Sequence, residues 1–166
     1  MLLTWTTSWR GPALITFASI AILGTALASQ YWGGLHSCIL CLYQRWPYSI
    51  AIAAGAIATA LVAMRQNKAA ALIVAGCSVA FAAGGGIAAF HVGVEQHWWQ
   101  GTSSCTGDAS TLKEMREVLL IAPVIRCDDI AWSLFGVSMA GYNIVASLAL
   151  SAYAALTVRS LWRPTA

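Results

Sequence analysis

Four stretches of this chain, about Ala13–Trp32, Pro47–Met64, Ala69–Val94 and Ser133–Val158, contain no Lys, Arg, Asp or Glu. Each is near the roughly 20 residues that a helix rising about 1.5 Å per residue needs to cross ~30 Å of hydrocarbon. Soluble folds are excluded on this ground, because such runs cannot build a water-facing surface. Composition agrees: 59% of residues are hydrophobic and 9% charged, against about 25% charged in an ordinary soluble domain. A backbone in lipid must satisfy its own hydrogen bonds, so runs of this length read as helices. The expected fold is all-α and integral to a membrane, a four-transmembrane-helix bundle forming one domain over residues 1–166. The net charge of +3 is scattered, so no nucleic-acid partner is expected.

Small residues fill the runs: Ala53-Ala54-Gly55-Ala56, Gly84-Gly85-Gly86 and Ala140-Gly141. They let helix backbones approach closely in lipid, and Ala82 to Gly86 marks tight packing or a kink. Arg65 to Lys68 is short enough to make the second and third helices an antiparallel hairpin. Residues 33–46 form a short loop, and residues 95–132 form the one sizeable polar segment. Within it Thr111 and Glu114 match a capping box, and Leu112, Met115, Leu119 and Leu120 share a helical face. A short helix there either lies on the membrane surface or packs on the bundle.

The charges are sorted by side. Arg10, Arg65, Lys68, Arg159 and Arg163 fall on one side of the four spans, with no acid among them. All six acids, Glu95, Asp108, Glu114, Glu117, Asp128 and Asp129, fall on the other. The excess of Lys and Arg in short flanks predicts both termini and the Arg65–Lys68 turn in the cytoplasm. The loops 33–46 and 95–132 then face outward. Arg10, an apolar stretch and Ala26-Leu27-Ala28 imitate a cleavable signal peptide, but the run continues to Trp32, so the segment is expected to be retained as a span. Trp32, Tyr43, Trp46, Tyr48, Trp98, Trp99 and Trp132 gather near the outer boundary, most of them expected as an aromatic belt and some as walls of an acceptor pocket.

Four of five cysteines lie in the outward loops, two in each: Cys38 and Cys41 as a C-x-x-C before the second span, Cys105 and Cys127 in the long loop. An oxidising compartment lets disulfides persist there. Spacing leaves three readings: a zinc site, with His36 and His97 nearby; a structural pair of disulfides; or two redox-active pairs. The redox reading is preferred, because Cys105 and Cys127 lack the tight spacing of a zinc ribbon, and no metal is expected. Cys38 and Cys41 sit at a helix N-terminus, whose positive end favours a thiolate. Arg45, one turn beyond Cys41, is expected beside that thiolate on the same helical face, at a depth where it can reach a lipid-soluble acceptor. Cys77, alone within the third span, is expected to be a packing residue. His91, near the end of that span, is a suspect as an intramembrane ionisable group.

The stretch Cys38-Ile39-Leu40-Cys41-Leu42-Tyr43-Gln44-Arg45-Trp46-Pro47-Tyr48 resembles the signature of the bacterial DsbB family of disulfide bond formation proteins. The four spans, the two cysteines per outward loop and the segment Cys127 to Gly136 extend the resemblance over essentially the whole chain. Phe90 to Trp98 is similar to the alphaproteobacterial branch. Gln44 stands where an acid is also familiar in that family, and reads as an unremarkable variation.

The resemblance implies a quinone-dependent thiol oxidoreductase of the bacterial inner membrane. By analogy, a Cys105–Cys127 disulfide oxidises a periplasmic thioredoxin-fold partner resembling DsbA, which attacks Cys105. Freed Cys127 then engages Cys38, and Cys41 passes electrons to a membrane quinone, ubiquinone or menaquinone. Catalytic roles fall on Cys38, Cys41, Cys105 and Cys127. Quinone binding falls on Arg45, with Gln30, His91 and His97 as weaker candidates. Two alternatives remain: a quinone reductase of the vitamin K epoxide reductase type, in which the C-x-x-C is expected after the loop pair rather than before it, and a membrane scaffold with structural disulfides.

Overall fold

The computed structural model describes residues 9–102, 105 and 126–162. The expected short helix around Thr111 to Glu114 lies outside the described residues. The described elements are α1 (Arg10–Tyr31), α2 (Ile39–Tyr43), α3 (Trp46–Ala63), α4 (Asn67–Glu95), β1 (Ser133–Leu134), β2 (Val137–Ser138) and α5 (Met139–Trp162). Four helical stretches are long and apolar enough to cross a membrane: Arg10–Tyr31, Ile39–Ala63 (α2 and α3 taken together), Asn67–Glu95 and Met139–Trp162.

The fourth apolar run does not become one helix. Its first residues, Ser133 to Ser138, form a two-stranded antiparallel hairpin in which Ser133 faces Ser138 and Leu134 faces Val137. Phe135 and Gly136 make its two-residue turn at φ of 50° and 79°, and positive φ at both central positions is what a tight hairpin turn requires. Hydropathy could not separate this hairpin from the helix, because Leu134, Phe135 and Val137 are as apolar as the span that follows.

Two helix ends share one device. After α3, the Arg65 amide donates to the Val62 carbonyl and the Gln66 amide to that of Leu61. After α4, the His97 amide donates to Val94 and the Trp98 amide to Gly93. Arg65 and His97 occupy the left-handed position at φ of 61° and 59°. These are paired Schellman bonds closed by a residue other than glycine, and His is among the residues that tolerate that conformation.

The bundle packs α1 on α3, α3 on α4 and α4 on α5, whereas α1 and α5 touch only lightly. Its core gathers Ile15, Tyr48, Ala51, Ala58, Val74, Cys77, Phe81, Leu150 and Ala154. Cys77 is buried as a free thiol in that core. α4 stays helical through the glycine run. A Cβ on Gly84 would come within 2.9 Å of Pro47, and one on Gly85 within 3.5 Å of Leu148. The run therefore brings α3 and α5 close to α4. Gly55 lets α3 approach α1, where a Cβ would collide with the Thr16 hydroxyl and stand 3.2 Å from the Pro12 carbonyl.

Gly55→Ala should therefore destabilise the bundle by about 1–3 kcal/mol through overpacking. Gly86→Ala, where a Cβ meets nothing within 4 Å, should be neutral or stabilising by up to about 1 kcal/mol from helix propensity. Thermal unfolding of the two variants in detergent tests the contrast, and equal shifts would contradict the packing described.

Candidate functional site

The C-x-x-C opens α2. Cys38 is its N-cap, in extended backbone, and its sulfur accepts from the Cys41 amide at 3.3 Å. Both thiols are free, with their sulfurs 2.7 Å apart. Cys105 and Cys127 are joined as a disulfide. The two pairs share one cluster: Cys38, Cys105 and Cys127 are buried with Leu40 and Val94, and Cys41 packs against them. The folded chain thus brings together cysteines from two loops far apart in sequence.

Cys38 is the sulfur on which donors converge. Besides the Cys41 amide, the Cys41 thiol and His91 Nε2, at 3.5 Å, face it. The Cys41 hydrogen bond is the largest influence lowering the Cys38 thiol below its ordinary range; burial opposes this, and His91 adds to it. The sequence placed the thiolate at Cys41, with Arg45 beside it. In the structure α2 ends at Tyr43, the backbone stays in the right-handed helical region at Gln44 and Arg45, and Cys41 and Arg45 line the same cavity. The guanidinium also donates to Gln30 Oε1 at 2.6 Å and to Ser37 Oγ at 2.5 Å. It ties the end of α1 to the loop that carries Cys38.

A cavity of about 770 Å³ lies beside the C-x-x-C. Cys38, Cys41, Gln44, Arg45, Tyr48, His91, Glu95 and Asn143 are among the residues that line it, together with Ala21, Ile22 and Ala26 of α1 and Met139, Ala140 and Ala146 of α5. It occupies the seam where α1 and α5 barely touch. Gln30 does not line the cavity, but its Oε1 accepts from Arg45 and Ser37, which do. His97 does not line it, because that residue closes the end of α4. His36 does line it. At the cavity mouth Arg126 pairs with Asp128, holding that carboxyl down to about 2.

Three participants escaped the sequence reading. Gln44 is buried, with its Nε2 at 2.9 Å from His91 Nδ1 and its Oε1 accepting from Asn143 Nδ2 at 2.7 Å. Glu95, counted in the sequence as one of the outward acids, is buried in the last turn of α4. It accepts from the Ser138 hydroxyl and stands 3.8 Å from His91 Nε2. Tyr48, grouped with the boundary aromatics of the belt or an acceptor pocket, is buried, lines the cavity and donates to Asn143 Oδ1. The remaining belt residues are exposed, Trp32 and Trp98 most of all. The family signature gave the one available signal for Gln44, since that position varies between an amide and an acid.

Among the described residues, Cys38, Cys41 and His91 are the group whose ligand atoms approach closely enough to hold a metal. His36 and His97, the histidines named for zinc, are not in it. Metal bonding through Nε2 leaves a neutral imidazole its hydrogen on Nδ1, where Gln44 presents an amide nitrogen rather than an acceptor. The arrangement suits thiol chemistry better than ligation.

Comparison with known proteins agrees with that chemistry. The family model for the disulfide bond formation protein DsbB matches residues 10–157. The uncharacterized protein RP370 of Rickettsia prowazekii (strain Madrid E) is 25% identical over 142 residues, covering 82% of this chain and 79% of that protein. No solved structure matches the chain. With paired cysteines at one end of four apolar helices and a family match over most of its length, the chain belongs to the DsbB family of disulfide bond formation proteins, membrane thiol oxidoreductases.

Proposed function

We propose that this protein reoxidises a periplasmic DsbA-like dithiol protein and delivers the electrons to a quinone of the bacterial inner membrane. The observation that carries the reading is the cavity in the α1–α5 seam, which is lined by the C-x-x-C, Arg45 and His91 as well as by apolar side chains of α1 and α5. A quinone fits such a site: a polar ring needs donors, an isoprenoid tail needs apolar surface, and the volume is within the usual range for small-molecule pockets. Arg45 and His91 would hold the ring end, and the aliphatic side chains of α1 and α5 would flank the tail. A quinone bound there supplies an acceptor of two electrons and two protons more oxidising than the partner's disulfide.

The chain's own residues then have distinct tasks. The partner's thiolate attacks Cys105, breaking the Cys105–Cys127 bond and leaving Cys127 as a thiolate. A second partner thiol displaces Cys105, so the partner leaves oxidised and the loop pair holds two electrons. Cys127, packed in the same cluster as Cys38, forms a bond with it when the C-x-x-C is oxidised, which releases Cys41. Attack of Cys105 on Cys127 restores the loop disulfide and leaves Cys38 and Cys41 reduced, the distribution of bonds described above. Arg45 keeps the Cys38 loop against α1 throughout. The balance is one partner dithiol and one quinone in, one partner disulfide and one quinol out.

Both termini and the Arg65–Lys68 turn are assigned to the cytoplasm. Reporter fusions after Lys68 and after Ala166 should both report that side, and a periplasmic signal from either would reverse the assignment. Ser at Cys38, Cys41, Cys105 or Cys127 should abolish oxidation of a reduced partner, whereas Cys77→Ser should keep nearly full turnover. Comparable loss at Cys77 would show that the pairing is wrong. Arg45→Ala should raise the apparent KM for quinone by about 10–100-fold, the scale of a lost hydrogen bond from a charged group, and leave that for the partner little changed. Arg45→Lys should recover part of the loss, because an ammonium lacks the planar fork that holds two acceptors at once. Unchanged quinone dependence in steady-state kinetics would reduce Arg45 to a loop tether.

A further inference from the structure

We propose that Tyr48, Asn143, Gln44 and His91 form one hydrogen-bond chain directed at Cys38, in which Asn143 and Gln44 are positioning residues that fix His91 as a donor to the sulfur. The chain links α3, α5 and α4 to the N-cap of α2. Tyr48 of α3 donates its hydroxyl hydrogen to Asn143 Oδ1 of α5. Asn143 Nδ2 donates to Gln44 Oε1 at 2.7 Å. Gln44 Nε2 faces His91 Nδ1 of α4 at 2.9 Å. His91 Nε2 faces Cys38 Sγ at 3.5 Å.

The sense of the chain follows from the atoms. With its oxygen already accepting from Asn143, Gln44 has only its amide nitrogen left for His91. That nitrogen donates and cannot accept, so Nδ1 carries no hydrogen and the neutral ring holds its one hydrogen on Nε2. The groups facing Nε2 include Cys38 Sγ and Glu95 Oε1, both acceptors, and the Cys127 backbone also acts on the ring as an acceptor. At the far end, the Ser147 hydroxyl also stands near Asn143 Oδ1, at 3.4 Å, so that oxygen meets two hydroxyls able to donate. Every donor therefore points the same way, and bonds aligned in series strengthen one another in a low-dielectric interior. The result is a third donor on Cys38 beside the Cys41 amide and thiol. Asn143, which touches neither the ring nor the sulfur, sets the reactivity of Cys38 through Gln44.

The consequence for turnover rests on the redox reading above, but the test needs no acceptor. Reduced protein labelled with ¹⁵N-histidine in detergent should show His91, assigned by its loss in His91→Asn, with a protonated Nε2 and an unprotonated Nδ1. Asn143→Leu frees the Gln44 amide to turn, so the two tautomers should become mixed, and alkylation of Cys38 followed by peptide mass spectrometry should slow by about tenfold, the scale of one hydrogen bond to a charged group. If Asn143→Leu fails to fold, Gln44→Glu puts an acceptor opposite Nδ1 and should move hydrogen onto that nitrogen. A wild-type ring protonated on Nδ1 would overturn the proposal. So would an Asn143→Leu protein with unchanged tautomer and unchanged alkylation, or a Gln44→Glu protein whose Nδ1 stays bare.

Discussion

A polar side chain inside a membrane bundle has no water to fall back on, so it pairs within the protein or is expelled to the interface. The hydrogen bond between Gln44 and His91 is where that constraint shapes this protein most. It joins the link between α2 and α3 to the last turns of α4, and through Asn143 it reaches α5. The C-x-x-C has a fixed place relative to the bundle because the two residues that follow its short helix are both tied down: Arg45 binds Gln30 of α1 and Ser37, and Gln44 binds α4 and α5. α2 is only 5 residues long, too short to be stable alone. The polar contacts around it supply what its length cannot.

The length of α4 belongs to the same argument. Its 29 residues extend about 43 Å at 1.5 Å per residue, more than the hydrocarbon thickness of a bilayer. His91 and Glu95 lie in its final turns, so these buried ionisable groups reach the edge of the apolar zone rather than its middle. There a carboxyl and an imidazole can be kept by a hydroxyl, a sulfur and an amide instead of a full ion-pair network.

The sequence made the architecture readable because lipid imposes simple rules. Uncharged runs near twenty residues, small residues inside them and one-sided Lys and Arg are all one-dimensional signals. The cysteine pairs were readable for the same reason, since their loops are set by the spans. What stayed hidden depends on three-dimensional contacts. Glu95 looked like one more outward acid until Ser138 and His91 enclosed it. Tyr48 looked like a boundary aromatic until Asn143 and Ser147 claimed its hydroxyl. Arg45 was placed by helical periodicity, which could not name Gln30 and Ser37 as the partners of its guanidinium. Ser133 to Ser138 read as helix because hydropathy does not register a turn whose two residues are Phe and Gly.

Trp99 folds over Gly93, where any Cβ would strike its indole ring, and its Nε1 donates to the Phe90 carbonyl at 3.0 Å. The indole thereby clasps the end of α4, and Cys105 hangs from that clasp by six residues of chain. Six residues fully extended cover roughly 20 Å, which is less than the width of a small folded protein. Cys105 is held further by its bond to Cys127 and its packing against Cys38 and Val94. It has no reach of its own into the surrounding fluid, and any protein that exchanges a bond with it must come down to the rim of the bundle to do so.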